Sequence, residues 1–236
     1  MDANTPAQSA KPQTKNPIRF VPNAIFAGLI LATLLRWETL GWPPFVWLAA
    51  SIVTGMIRGP HARANNDNVV IENRKGILEM VLMGGVIGTM GGLPMIHLAT
   101  GVFSAADYTL PPAAAILGSA LQLPFLWLFW RSHADLGRNW SVSVELRDDH
   151  GLITNGVYKR IRHPMYAAIW LSIIAQPLLV QNWVAGCLAI PAFLAMYLLR
   201  VPREEAMMRE HFGTAYEDYM NQTGRIIPRF NQRKTA

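Results

Sequence analysis

The feature that most constrains this sequence is the recurrence of long apolar runs with few or no charges. These runs reach roughly the 17 to 25 residues that a helix needs to cross a bilayer, whereas a soluble core would show shorter amphipathic segments. Hydrophobic residues make up 51% of the chain and charged residues only 15%, and the hydrophobic ones occur in blocks. The sequence therefore predicts an all-α, polytopic membrane protein rather than a soluble α/β protein.

Proline, glycine and polar residues divide the apolar sequence into about six predicted transmembrane helices. We expect these helices, to within a few residues, at 20–37, 43–58, 77–98, 112–131, 165–181 and 184–201. Only a short turn separates the last two, so they should form a hairpin. The polar tail before the first helix is long and weakly basic and is followed by no small-residue cleavage pattern, so we expect no cleavable signal peptide.

The distribution of basic residues predicts the orientation. With six spans, both termini and the loops 59–76 and 132–164 lie on one side of the membrane. Of the 21 Lys and Arg residues, all but Arg36 fall on that side or at helix ends that face it. By the positive-inside rule this side is the cytoplasm, which predicts a multi-pass inner-membrane protein with both termini cytoplasmic. Because topology accounts for the positive charge, we expect no nucleic-acid partner.

The predicted spans divide the chain into three regions. Residues 1–18 form a polar cytoplasmic tail, and residues 19–131 carry transmembrane helices 1 to 4. Residues 132–236 form a core that contains the hairpin 165–201 and C-terminal cytoplasmic helices. The polar segments of this last region are the only ones rich enough in functional side chains to predict a site.

Glycine, cysteine and histidine are more simply explained by structure than by chemistry. Gly84, Gly88 and Gly92 repeat a small-xxx-small spacing inside an apolar run, which predicts close packing between membrane helices rather than a dinucleotide loop. Cys187 is the only cysteine and lies in an apolar run. The six histidines are scattered without a pair at i and i+4, so we expect no metal site.

The polar segment before the fifth span ends in a histidine that is followed by proline. The proline disfavours helical geometry at His163, while Pro164 itself suits the first turn of a helix. The imidazole is thus predicted at a helix N-terminus, where free N–H groups and the helix dipole favour anionic ligands. Taken singly, Arg160 and Arg162 are expected to lie among lipid headgroups.

A second polar cluster follows the sixth span. Pro202 should mark the change from the span to a cytoplasmic helix, and Gly213 should end that helix. Residues 214–217 have the form of a capping box, which predicts another short helix. The alternative is an amphipathic helix on the membrane surface, with Glu205 and Arg209 paired across one turn.

Four motifs occur in order within residues 136–229. They are Arg162-His163-Pro164-Met165-Tyr166, Arg203-Glu204-Glu205, the run His211-Phe212-Gly213-Thr214-Ala215-Tyr216-Glu217-Asp218-Tyr219, and Gly224-Arg225-Ile226-Ile227-Pro228. This ordered set resembles the isoprenylcysteine carboxyl methyltransferase family and its bacterial relatives. The residues before about 130 match only as generic spans.

The resemblance implies an S-adenosylmethionine-dependent enzyme with its donor site between the hairpin and a cytoplasmic, helical C-terminal segment. The implied cofactor-binding residues are Tyr158, His163, Pro164, Tyr166, Glu205, His211, Tyr216, Tyr219 and Arg225. The implied acceptor-side catalytic residues are Arg200, Arg203 and Glu204, and the division of labour between the two glutamates is open.

The acceptor is expected to be lipophilic, either a small molecule or a prenylated substrate drawn from the membrane lipid, with O-methylation of a carboxylate the main interpretation. A carboxylate is already a nucleophile, so it needs holding by an arginine fork rather than a strong base. Two alternatives stay open at this point: an NADPH-dependent reductase of the sterol-reductase type, and a non-catalytic lipid-binding membrane protein.

Overall fold

The computed structural model describes residues 21–65, 70–73, 76–137, 145–147 and 151–229. The predicted tail 1–18 lies outside these residues. Most of the described backbone is helical. The helices are α1 (Val21–Leu35), α2 (Trp37–Leu40), α3 (Pro43–Asn65), α4 (Ile77–Ile87), α5 (Leu93–Thr100), α6 (Pro112–Leu136), α7 (Pro164–Leu179), α8 (Ala189–Phe212) and α9 (Thr214–Gln222).

One short ribbon departs from the all-α prediction. Strands β1 (Val70–Asn73) and β2 (Glu145–Arg147) pair antiparallel, with Val70 opposite Arg147. The ribbon therefore joins the segment after α3 to the segment after α6. Strands of three and four residues are too short to produce a recognisable alternating pattern, which is why the sequence did not predict them.

Two helical stretches in the described part of the chain are long and apolar enough to cross a membrane. They are Ile77–Thr100 and Pro112–Leu136, which coincide with the third and fourth predicted spans. The segments Ala24–Leu35 and Pro164–Leu179 are apolar but shorter. Helices also occupy the other predicted spans, so the structure gives two candidate spans and the count of six stays a prediction.

The third predicted span contains a π-helical turn, Gly88–Gly92, between α4 and α5. The close packing predicted from its glycines is wrong, because a Cβ atom added at Gly84, Gly88 or Gly92 would meet nothing within 4 Å. The π turn displaces a carbonyl from the regular helical ladder, and Gln176 Nε2 donates to Thr89 O at 3.0 Å. The glycines thus accompany a local unwinding of the helix.

The hairpin differs in detail from its prediction. The sixth helix begins at residue 189 rather than near 184, because a turn organised by the fully buried Asn182 precedes it. Asn182 Oδ1 accepts hydrogen bonds from the backbone N–H groups of Val184 and Ala185 at 2.9 and 2.8 Å. Helix α8 then runs without interruption through Pro202, so the predicted change of helix at this proline does not occur.

Helix α6 is the centre of the packing, since it lies along α7 and also contacts α3. It approaches α7 closely at Gly118, where an added Cβ would lie 3.0 Å from Leu178 Cβ and from Leu179 Cγ. One core cluster joins Phe125, Leu128 and Phe129 of α6 to Ala168 of α7. This packing fixes the N-terminal end of α7, which follows the His163 motif, against α6, where the candidate site lies.

Candidate active site

A cavity of about 440 Å³ lies among α3, α4, the π turn, α6, α7, α8 and α9. Its wall is mostly apolar at one end and carries polar and charged side chains from the family-like motifs at the other. Eight of the residues predicted for the site line this cavity. They are Tyr158, His163, Pro164, Tyr166, Arg200, Glu204, Tyr216 and Tyr219.

Four predicted site residues do not line the cavity. Glu205 is fully buried away from it, and Arg225 is bonded to Glu205 with its side chain 42% exposed. Arg203 and His211 are exposed on α8. The motifs are therefore brought together, but their members divide between the cavity wall and its supporting structure.

Backbone hydrogen bonds join the segment before α7 to the segment after α9. The N–H of Arg162 donates to Gly224 O at 2.9 Å, and the N–H of His163 donates to Arg225 O at 2.9 Å. In return the N–H of Gly224 donates to Arg160 O at 3.1 Å. This short parallel bridge connects the first and last motifs, although about 60 residues separate them in sequence.

Glu205 is the ionic centre that supports this bridge. Its Oε1 accepts from Arg162 Nε at 2.7 Å and from Arg225 Nε at 3.0 Å, and Oε2 lies 2.5 Å from Arg225 Nη2. His163 Nε2 lies 3.2 Å from the same Oε1. The alternative pairing with Arg209 is not formed, because these partners occupy the Glu205 carboxylate.

The surroundings of Glu205 keep it ionised. Burial alone would raise the pKa of its carboxyl, but hydrogen bonds from His163, Arg225 and Arg162 hold that pKa well below its usual range. The same interaction raises the pKa of the Arg225 guanidinium. The carboxylate is held as the anion by these contacts, which also link α8 to the segments that carry Arg162, His163 and Arg225.

Glu204 is the carboxylate that faces the cavity. Its Oε1 accepts from Tyr166 Oη at 2.9 Å and from Arg200 Nε at 2.7 Å. Arg200 is buried and also places Nη1 2.9 Å from Glu79 Oε1. Helix α4 is thereby tied to α8 through Arg200, which lies between two carboxylates.

Three tyrosines from the segment before α7 and from α9 line the cavity: Tyr158, Tyr216 and Tyr219. Tyr219 Oη donates to Tyr158 O at 2.7 Å, and Tyr158 Oη donates to Ser132 O at 3.2 Å. Burial raises the pKa of Tyr158, Tyr216 and Tyr219 above that of a free phenol. They remain neutral at physiological pH and serve as hydrogen-bond donors and aromatic surface.

A tight turn at Gly156 positions Tyr158. Asp135 Oδ2 accepts from Val157 N at 2.9 Å, and the 3₁₀ turn Gly156–Lys159 follows directly. Gly156 has φ +56°, and a Cβ there would lie 2.1 Å from Asp135 Oδ2. Glycine is required at this position both by backbone geometry and by the close carboxylate.

The sequence did not predict several residues of the site. Arg162 was expected among lipid headgroups, and that prediction is wrong because its side chain is only 11% exposed and bound to Glu205. Glu79 and Arg58 also belong to the site but lie before the recognisable motifs. A signal for Arg58 was available, since Ser51, Thr54 and Arg58 repeat at the spacing of one helix face.

Within the described ranges, no group of three or more His, Cys, Asp or Glu side chains is placed to hold a metal ion. The cavity wall offers aromatic surface, arginine and glutamate side chains, and a helix N-terminus at Pro164.

The fold and the site together define a helical protein with two candidate membrane spans and a cavity that is polar at one end. A sequence model of the isoprenylcysteine carboxyl methyltransferase family matches residues 122–210. Over that region the chain is similar to this family, in agreement with the resemblance of its motifs.

Individual proteins that are similar to this chain are named as isoprenylcysteine methyltransferases. A protein-S-isoprenylcysteine O-methyltransferase of Schizosaccharomyces pombe is 31% identical over 114 residues, covering 47% of this chain and 48% of that protein. One from Tribolium castaneum is 39% identical over 95 residues, covering 38% and 32%. The chain thus spans about half the length of these relatives or less. A solved structure of a eukaryotic intramembrane Ras methyltransferase is 18% identical, covers 91% of this chain and 87% of its own, and has a TM-score of 0.37.

Proposed function

We propose that this protein is an S-adenosylmethionine-dependent methyltransferase that acts on the carboxylate of a lipophilic acceptor. The observation that carries the proposal is the single cavity that is lined by both the His163 segment and the Glu204 segment and that continues among apolar helices. A polar end suits a charged donor, and an apolar end suits a hydrocarbon chain. The names of the relatives, which refer to S-isoprenylcysteine O-methylation, support a prenylated acceptor.

The cavity residues fit S-adenosylmethionine in both size and chemistry. The cavity volume of about 440 Å³ lies within the roughly 300 to 1,000 Å³ that is usual for ligand sites. The N-terminus of α7 and the imidazole of His163 suit the donor's carboxylate, and the tyrosine faces suit its sulfonium. When bound, this cofactor supplies an electrophilic methyl group.

In the proposed site, Tyr158, His163, Pro164, Tyr166, Tyr216 and Tyr219 form the donor wall. Glu205 and Arg225 would act by holding that wall in position, because their ion pair lies behind it. For His211 we propose a supporting position at the end of α8. Arg203 is exposed, so its proposed acceptor role would require the acceptor's polar head to reach the outside of α8.

The chain's own contribution to methyl transfer would be alignment and exclusion of water. Displacement at a methyl group needs its two reacting atoms close and in line, and it needs no strong base when the acceptor is a carboxylate. Arg200 and Tyr166 hold Glu204 in one orientation, so Glu204 presents a fixed negative charge to the cavity. A fixed negative charge favours a cationic donor in a site of low dielectric constant.

We further propose a multi-pass protein of the inner membrane with six spans and both termini in the cytoplasm. In this arrangement residues 1–18 form a cytoplasmic tail, 19–131 the first four spans, and 132–236 the catalytic region. The one-sided distribution of Lys and Arg supports it. The donor would then enter from the cytoplasm and the acceptor from the lipid.

Ligand-induced thermal stabilisation of the purified protein tests the proposal. We expect S-adenosylmethionine to raise the melting temperature and NADPH to leave it unchanged, because only a ligand that binds the folded state stabilises it. The Tyr219→Phe and His163→Ala variants should need more donor for the same shift. Stabilisation by NADPH alone would favour a reductase, and no response to either would favour a lipid-binding protein; both results contradict the proposal.

A further inference from the structure

The apolar end of the cavity contains a glutamine that comes from the middle of a membrane-length helix. Of the described α6 residues that line the cavity, Gln122 is polar, and Phe125, Phe129 and Leu136 are apolar. Their spacing puts these side chains along one side of α6. Gln122 lies near the middle of Pro112–Leu136, one of the two stretches long and apolar enough to cross a membrane.

The amide of Gln122 has no hydrogen-bond partner in the part of the chain that the structure describes. Its side chain is 3% exposed, and both its oxygen and its nitrogen are buried. An amide buried in this way costs free energy, because it has lost its hydrogen bonds to water and gained none in return. Polar side chains inside membrane spans are rare for this reason and mark the paths of substrates and ions.

The other buried glutamine of the helical core shows the contrast. Gln176 of α7 donates from Nε2 to Thr89 O at 3.0 Å and to Ala185 O at 2.8 Å, although its oxygen has no partner. It lies outside the cavity wall and joins neighbouring segments of the protein. Gln122 makes no such connection, so stabilising the fold does not explain an amide at this position.

The packing of α6 against α7 places a second polar group at the same level as Gln122. Gly118 lies against the C-terminal end of α7, whereas Phe125 belongs to the same core cluster as Ala168. The two helices are therefore antiparallel, and both Gln122 and Ser172 lie between these two contacts. Ser172 is 7% exposed and also lines the cavity. We call this amide and this hydroxyl the polar patch.

The chemistry of the polar patch selects an uncharged ligand group. An amide and a hydroxyl can each donate and accept hydrogen bonds, so they match a hydroxyl or a carbonyl group. A purely hydrocarbon chain would leave the Gln122 amide unpaired, and a carboxylate at this depth would need a positive partner. Three rotatable bonds connect the amide to α6, so it can turn toward a group that binds in the cavity.

The level of the polar patch gives its distance from the reacting end of a substrate. His163 and Glu204 mark the polar end of the cavity, with Nδ1 and Oε2 3.7 Å apart, and α7 begins there at Pro164. Ser172 lies eight residues further along α7, about 12 Å along the helix axis. An extended carbon chain advances about 1.3 Å per bond, so about ten carbon atoms cover this distance.

We propose that Gln122, together with Ser172, recognises an uncharged hydrogen-bonding group in the chain of the lipophilic acceptor, about ten carbon atoms from its carboxylate. This inference rests on the proposed methyltransferase function. It narrows the acceptor from any lipophilic carboxylic acid to one with a hydroxyl or carbonyl group in the middle of its chain. Gln122 then determines specificity and takes no part in methyl transfer itself.

Binding of stearic acid and of its 2-hydroxy and 10-hydroxy derivatives tests the inference, by calorimetry on purified protein in detergent micelles saturated with S-adenosylhomocysteine. We expect the wild type to bind the 10-hydroxy acid about fivefold more tightly than the other two, the usual effect of one neutral hydrogen bond. Gln122→Met keeps the size of the side chain but lacks the amide, so it should reduce this preference to less than about twofold. Ser172→Ala should also reduce it.

Gln222→Met is the matched control, since Gln222 is an exposed glutamine on α9 outside the cavity wall. It should keep the preference of the wild type. Without added acid, Gln122→Met should melt no lower than the wild type, because it loses no hydrogen bond within the protein. A lower melting temperature would show that the amide supports the fold and would overturn the inference.

The binding data can overturn the inference in three further ways. The wild type could bind the three acids equally, it could bind none of them, or both cavity variants could keep the full preference for the 10-hydroxy acid. The thermal shift with S-adenosylmethionine is measured in the same samples. Its absence from the wild type contradicts the methyltransferase function, whereas its presence with equal binding of the acids contradicts only the role of the polar patch.

Discussion

Glu204 and Glu205 are neighbours in the chain, yet Glu204 lines the cavity whereas Glu205 is completely buried beside Arg162 and Arg225. Successive residues on a helix point about 100° apart, so the two side chains leave α8 in different directions. One carboxylate faces the ligand, and the other holds the backbone segments that build the wall. The sequence motif contains both, and only the fold distinguishes them.

Glu205→Gln should destabilise the protein strongly. The substitution removes the negative charge while the mostly buried Arg162 and the exposed Arg225 remain, and breaking a buried ion pair such as that with Arg162 costs about 3 to 5 kcal/mol. Thermal unfolding in detergent measures the effect. Glu217→Gln changes an exposed glutamate on α9 and should leave the melting temperature nearly unchanged. Equal melting temperatures for the two variants would remove the supporting role assigned to Glu205.

The stability of the folded protein should depend on pH through the Glu205 carboxylate. Because the folded-state pKa of Glu205 is lowered, its contribution is fully present above the ordinary carboxyl range, near pH 4.3. It is lost as pH falls through that range toward the folded-state pKa. Melting curves between pH 7 and pH 3 should fall more steeply for the wild type than for Glu205→Gln. Parallel curves would contradict the assignment.

Gly156 is constrained both by its positive φ and by the nearby carboxylate of Asp135, and a comparison with Gly213 separates these two effects. Gly156 and Gly213 have nearly the same φ, +56° and +55°, but only Gly156 faces a carboxylate at clashing distance. Gly156→Ala should therefore lower the melting temperature more than Gly213→Ala, because Asp135 must move and release Val157 N. Similar losses in the two variants would mean that backbone strain alone decides.

The cavity wall at the π turn offers a steric test of the acceptor site. Gly91 lines the cavity, and a Cβ added there meets nothing within 4 Å, so the larger side chain of Gly91→Leu should narrow the cavity. We expect kcat/KM for a farnesylated acceptor to fall by about tenfold or more, which corresponds to about 1.4 kcal/mol of lost transition-state stabilisation. Gly84→Leu also enters open space but lies outside the wall, and it should retain activity. Equal activity in both would place the acceptor elsewhere.

The sequence predicted the helices well because their boundaries depend on local chemistry. Proline at residue 43 and at residue 164 begins α3 and α7, and Gly213 ends α8. Pro202 misled the prediction, because a proline can be accommodated inside a helix that is held by its surroundings, and α8 continues through it. That outcome depends on the packing of α8 and not on the local sequence.

Site residues could be predicted from the sequence only where they belong to a short, recognisable motif. His163, Tyr166 and Glu204 were found in this way, and all three line one cavity. The pairing of Arg162 with Glu205 joins residues 43 positions apart, and no periodicity in one segment reveals a partner in another. The glycines of the third span were misinterpreted because small residues serve equally in close packing and in a widened, π-helical turn.

The most direct test of the central claim is transfer of a tritiated methyl group from S-adenosylmethionine to N-acetyl-S-farnesylcysteine by the purified protein in liposomes. A carboxyl methyl ester releases methanol on mild base treatment, so the account predicts base-labile, volatile radioactivity that depends on both protein and acceptor. The acceptor's carboxamide should give none, and Glu204→Gln should reduce the signal. Donor binding without any transfer to the acid, in protein that is correctly folded, would contradict the account.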